Sequence, residues 1–157
     1  MSNLKKAMAI FIVAIIMVTG ATACDLTPDQ MQAIRSHIEV RAQAHDLCSS
    51  KSRSGARDVN NCVTGWVIAH EQGETWESFL CADYVVTGES NWRNVPNSAG
   101  GSAYGVPQAL GKVHAETRTV EWRSNVVMQI KWMYNYMRGR YGSFCGAKKF
   151  KAGHGVY

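Results

Sequence analysis

The sequence predicts a mostly α-helical domain with long ordered loops, and three observations carry that prediction. Apolar residues recur at helical spacing in several stretches, each opened by a side chain able to cap a helix. Between them lie runs of Gly, Ser, Asn and Pro with no periodicity. The chain has 157 residues, 46% hydrophobic and 10% aromatic, which suits one globular domain plus accessory segments and allows a real core.

Each segment can be justified in order. Lys5 and Lys6 precede an apolar run from Ala7 to Val18, then Thr19, Gly20 and an Ala21-Thr22-Ala23 junction. This is the pattern of a signal peptide over residues 1–23; the competing reading is a retained membrane anchor, since no charge falls between Ala7 and Cys24. Cleavage after Ala23 would leave Cys24 first, which suggests a lipid-modified N-terminus, although lipoprotein signals usually carry Leu where Ala21 stands. The whole chain carries +5; without residues 1–23 it loses two lysines and no acid, leaving 15 basic against 12 acidic residues, or +3. A mild positive balance fits an anionic cell envelope. No basic stripe with interleaved aromatics, helix-turn-helix or zinc-finger spacing points to nucleic acid.

Thr27-Pro28-Asp29-Gln30 reads as a helix start: Thr27 caps, Pro28 suits the first turn, and Gln30 completes a capping box. Met31, Ile34, Ile38 and Leu47 follow at near-helical spacing. Residues 49–61 are small and polar and read as a loop. Trp66 to His70 is a short apolar stretch broken by Gly73. Thr75 caps a second helix, with Trp76, Phe79, Leu80, Tyr84 and Val85 as its buried side, ending near Glu89. Residues 93–103 form a loop. Ser124 or Asn125 caps a long helix through Val126, Ile130, Met133, Met137 and Tyr141, which Gly142 ends. A basic tail, Lys148-Lys149-Phe150-Lys151, precedes Gly153 and Gly155.

Five cysteines are present: Cys24, Cys48, Cys62, Cys81 and Cys145. If Cys24 is processed, the remaining four allow three disulfide connectivities, which export would permit. No Cys-x-x-Cys pair exists, so a zinc ribbon or thioredoxin-type site is not expected, and no local signature marks a catalytic cysteine. No metal and no cofactor is expected.

Glu89 stands at a predicted helix end, before a loop and beside Trp92. A carboxyl group against aromatic bulk loses water and keeps its proton more readily, as an acid must. Taken alone, a Glu at a helix end is most often a solvated surface residue. Its surroundings change that weight. Glu89-Ser90-Asn91-Trp92 resembles the E-S-x-W motif of transglycosylase SLT-type domains, and Ala103-Tyr104-Gly105-Val106-Pro107-Gln108-Ala109-Leu110 resembles their A-Y-G-x-P-Q-A-L segment. Trp122-Arg123-Ser124-Asn125, Gln129-Ile130-Lys131-Trp132, the run from Tyr136 to Gly146 and the ending Gly155-Val156-Tyr157 are similar to later motifs of that family, in the same order. The likeness covers residues from about 79 to 157. The subgroup it resembles is the small secreted domains of Gram-positive bacteria and their phages.

The resemblance implies a lysozyme-like fold and a peptidoglycan lytic transglycosylase. Glu89 would protonate the glycosidic oxygen between N-acetylmuramic acid and N-acetylglucosamine, and as a carboxylate would then take the proton of the C6 hydroxyl, leaving a 1,6-anhydro end. Ser90 would hydrogen-bond near the acid. Trp92, Tyr104, Gly105, Gln108 and Tyr136 would bind substrate, though Gly105 also reads as a turn residue and Tyr136 as helix core. Trp122 reads as buried packing. Glu71, Glu74, Glu77 and Asp83 read as a solvated face. The resemblance also implies a Cys81–Cys145 disulfide, which leaves Cys48–Cys62. Two departures concern the substrate groove: Gly111-Lys112-Val113-His114 replaces the usual L-P-G-S-K, and Lys148-Lys149-Phe150-Lys151 stands where aromatic and small polar residues are common. Residues 24–78 have no counterpart in the family, and residues 24–74 are expected to form a helical and loop extension before a catalytic domain at 75–157. The expected partner is the glycan strand of peptidoglycan, acted on by an exported monomer with membrane contact only through the N-terminus. A water-using lysozyme-type hydrolase and a non-catalytic wall-binding or aggregation-promoting surface protein are the alternatives.

Overall fold

The computed structural model describes residues 26–52 and 55–157. The expected signal peptide and Cys24 lie outside the described residues. Two compact units divide at Gln43/Ala44. Among the described residues, no helix is long and apolar enough to cross a membrane.

Helix α1 spans Pro28–Ser49 and starts as expected. The Thr27 N–H donates to Gln30 Oε1 at 2.7 Å, and the Gln30 N–H donates to Thr27 Oγ1 at 3.3 Å, a reciprocal capping box. In the first unit Met31 and Ile38 stay largely exposed.

The second unit, Ala44–Tyr157, is mostly helical. Its α2 spans Val59–Glu71. The polar run before it, read as a loop to residue 61, hides the helix start: Asp58 accepts the Asn61 N–H at 3.0 Å. Val63, Trp66, Val67, Ile68 and Ala69 are all buried, so α2 runs through the core and belongs with the segments that follow it. The expected boundary at residue 74/75 therefore falls inside one compact unit, because α2 supplies apolar surface that the later helices bury.

Helix α3, Trp76–Glu89, is capped by Thr75 and α5, Val126–Tyr141, by Asn125; α5 ends at Gly142 in the left-handed conformation (φ 76°). Helix α4 is the short Val120–Ser124. The basic tail is not a tail: Ser143 caps a further helix, α6, at Phe144–His154. The buried side of α3 also differs from expectation. Phe79, Cys81, Ala82, Val85 and Val86 are inside, whereas Leu80 and Tyr84 are substantially exposed. Disulfides join Cys48 to Cys62 and Cys81 to Cys145, and such bonds fit an oxidising environment. The second ties α3 to the start of α6.

Between α3 and α5 the chain forms one small hairpin, β1 Ala103–Tyr104 against β2 Ala109–Leu110, antiparallel with Tyr104 opposite Ala109. Its tip is held from α5 by the buried Gln129. The Gln129 Oε1 accepts the Val106 N–H at 2.9 Å, and its Nε2 donates to Asn94 Oδ1 and to the carbonyls of Trp122 and Arg123. Gly105 (φ 78°) makes that approach possible, since a Cβ there would lie 2.4 Å from Gln129 Oε1.

Candidate active site

The hairpin, the last turn of α3, one face of α5 and the C-terminal segment enclose a cleft of about 490 Å³. Glu89, the last residue of α3, opens into it, and no other Asp or Glu among the described residues lines it. The cleft also takes in Gln108 from the hairpin, Trp132, Tyr136 and Arg140 from α5, Lys151 from α6, and Tyr157.

The residues expected to bind substrate separate into two groups. Gln108 and Tyr136 meet Glu89 in the cleft. The Gln108 backbone is left-handed (φ 50°), and its Nε2 donates to the carbonyls of Val95 and Gly105 at 3.0 and 2.9 Å. Its side-chain oxygen is thereby left as an acceptor. Tyr136 stacks on Trp132, with centroids 5.2 Å apart and planes at 9°, and meets the His114 ring edge-on at 5.4 Å. Burial, followed by the neighbouring Tyr141, raises the Tyr136 hydroxyl above its ordinary pKa.

The other four expected residues, Ser90, Trp92, Tyr104 and Gly105, do not line this cleft. Trp92 is 0% exposed and lies in the core, where its Nε1 donates to Asp83 Oδ1 at 2.9 Å; it neither stacks on a ligand nor walls Glu89. Two successive left-handed residues, Asn91 (φ 54°) and Trp92 (φ 64°), turn the ring inward. Ser90 is buried and its hydroxyl donates to Val106 O at 2.7 Å, a hydrogen bond beside the acid that fastens the end of α3 to the hairpin tip. Tyr104 lies under the Arg123 guanidinium, 4.9 Å from the ring centroid, outside the cleft lining. Gly105 is the turn residue that admits Gln129. Asp83 is corrected as well: expected on a solvated face, it is buried, accepting from Arg57 Nε and Nη2 at 3.2 and 3.1 Å as well as from Trp92. A buried carboxylate needs such partners.

The sequence does not mark the other cleft residues as site residues. Trp132 and Tyr157 sat inside matched motifs, but nothing local distinguished them from packing. The Trp132 Nε1 donates to Glu116 at 2.9 Å, a bond that holds the Glu116 carboxyl below its ordinary pKa. The Tyr157 hydroxyl donates to Pro107 O at 3.0 Å, and burial, then the charge of Glu89, pushes it well above its usual range. Lys151 forms an ion pair with Glu89. In sequence it was visible only as a departure from the family pattern. No group of three or more His, Cys, Asp or Glu side chains among the described residues converges as a metal site.

No family model, no curated protein and no solved structure matches this chain.

Proposed function

We propose that the second unit is a lysozyme-like domain that cuts the glycan strands of peptidoglycan, with Glu89 as its single acid/base. The observation that carries this reading is that Glu89 is the one carboxylate lining the cleft among the described residues, set against a hydroxyl donor, an amide acceptor and an aromatic stack. Glycosidases that use water as nucleophile or form a glycosyl-enzyme ordinarily need two carboxyl groups flanking the bond. With one, the economical chemistry is intramolecular. Glu89 protonates the leaving oxygen, the sugar's acetamido group stabilises the oxocarbenium-like state, and the Glu89 carboxylate then takes the C6 hydroxyl proton as that oxygen closes on C1. The order of the motifs around Glu89, Gln108, Trp132 and Tyr136 supports the same reading, as do the disulfides expected of an exported protein.

Glu89→Gln should keep the fold, since the amide is nearly isosteric, yet it can neither give nor take the proton. General acid–base catalysis is worth on the order of 10² to 10⁴ in rate, and one residue serves both steps, so the loss should reach at least the upper end. The assay is release of soluble muropeptides from purified sacculi, with circular dichroism confirming folding. Near-normal release by folded Glu89→Gln would refute the assignment and favour a wall-binding role. Mass spectrometry separates transglycosylase from hydrolase, because the anhydro product lacks one water.

A further inference from the structure

The proposed reaction needs Glu89 to give up a proton, yet its carboxylate is ion-paired with the Lys151 ammonium. A carboxylate held in an ion pair has no proton to give. The contact is built into the fold. The Lys151 side chain is 11% exposed and that of Glu89 20%. The lysine stem crosses Gly88, where a Cβ would come within 2.8 Å of Lys151 Cε, so the residue before the acid leaves room for its partner. The ammonium also lies 5.8 Å from the Tyr157 ring centroid, and the Cys81–Cys145 bridge ties the helix that carries it to the helix of Glu89. The cleft holds a second strong cation, Arg140, whose Nε donates to the Tyr141 hydroxyl and which has no carboxylate partner among the described residues. With Glu89 neutralised, the cleft therefore presents an excess of positive charge.

Resting on the glycan-cutting reading, we propose that Lys151 determines specificity: a substrate carboxylate near the bond to be cut draws the ammonium off Glu89 and so releases the acid. The substrate class is an acidic glycan, with carboxylates on its sugars or on the stems attached to them. A neutral N-acetylated glycan leaves the pair closed. The exchange breaks one ammonium–carboxylate contact and forms another, no covalent bond changes, and Glu89 takes its proton from solvent. The four-carbon stem of Lys151 permits the swing without movement of α6, and Arg140 adds to the attraction of the incoming anion.

The test compares soluble peptidoglycan chains with the same chains after carbodiimide amidation of their carboxylates, for the wild type, Lys151→Met and Lys151→Arg, reading kcat and KM separately. The wild type should prefer the acidic chains by roughly ten- to a hundredfold in kcat/KM, the worth of one charge-assisted contact. Lys151→Met should lose most of that ratio by cutting the amidated chains with a higher kcat than the wild type does, and Lys151→Arg should keep the preference. If Lys151→Met does not fold by circular dichroism, Lys151→Gln carries the comparison. Equal cutting of both chains by the wild type overturns the proposal, and so does an unchanged ratio in folded Lys151→Met; either leaves the glycan-cutting reading standing. Failure of the wild type to cut either chain sinks that reading, and this inference with it.

Discussion

Two carboxylates on one helix, Asp83 and Glu89, show how little residue type alone decides. Six residues apart, they have opposite fates. Asp83 is enclosed with Arg57, the two side chains each 8% exposed, and it also takes the Trp92 indole N–H. Its removal would leave a buried guanidinium without a counter-charge, which costs about 3–5 kcal/mol. Asp83→Ala should lower the unfolding free energy by that amount in urea titration, whereas Glu77→Ala, at an exposed position of the same helix, should stay within about 0.5 kcal/mol of wild type. Equal effects would mean that the Asp83 cluster contributes nothing special. Glu89 is different because it stands at the last position of the helix, where the chain leaves the core and the cleft begins.

At the scale of elements, the site depends on the docking of α3, α6 and the hairpin. Removing the Cys81–Cys145 bridge, whose ends are separated by 64 in sequence, should cost up to about 4 kcal/mol from loop-closure entropy, against about 3 kcal/mol for Cys48–Cys62, separated by 14. Double Ala replacements of each pair, compared by thermal unfolding, should rank in that order. The hairpin is governed by Gln129 and Gly105. Gly105→Ala puts a Cβ into Gln129 Oε1 and imposes a left-handed backbone on Ala, which alone costs about 1–2 kcal/mol. That variant should be less stable by at least this amount and, because Gln108 sits on the same turn, should release muropeptides more slowly. Wild-type stability and activity in Gly105→Ala would show that the hairpin tip tolerates movement.

For the whole molecule, the buried hydroxyls set a pH limit. Tyr134 is fully buried, its hydroxyl donates to Gly65 O at 2.9 Å, and burial pushes its pKa well above the ordinary value of 10.0. The folded state thus holds this proton more tightly than the unfolded chain does. Its stabilising contribution is complete below about pH 10 and is lost as pH rises through and beyond that value. Unfolding free energy should therefore fall above about pH 10. Tyr134→Phe, although destabilised at neutral pH by loss of the hydroxyl's bond to Gly65 O, should fall less steeply there. Parallel curves for the two proteins would remove Tyr134 as the cause.

Much of the local structure was legible in the chain itself. The box at Thr27 and Gln30, the caps at Thr75 and Asn125 and the stop at Gly142 are written within four residues of where they act, because capping is a short-range hydrogen-bond geometry. The roles expected of Glu89, Gln108 and Tyr136 came only from the resemblance, and the structure shows that the three line one cleft. Other features rest on pairings distant in sequence. The inward turn of Trp92 depends on Asp83 and on the gap at Gly65, where a Cβ would lie 2.3 Å from the indole ring. The burial of Asp83 depends on Arg57, which the sequence places in a polar run indistinguishable from a solvated loop. Lys151 is one of several lysines in a basic stretch; only the packing of α6 against α3, with room left at Gly88, sets that one ammonium on the acid. Helix ends follow from neighbours along the chain, whereas the electrostatic setting of a side chain follows from whichever distant groups the core brings against it.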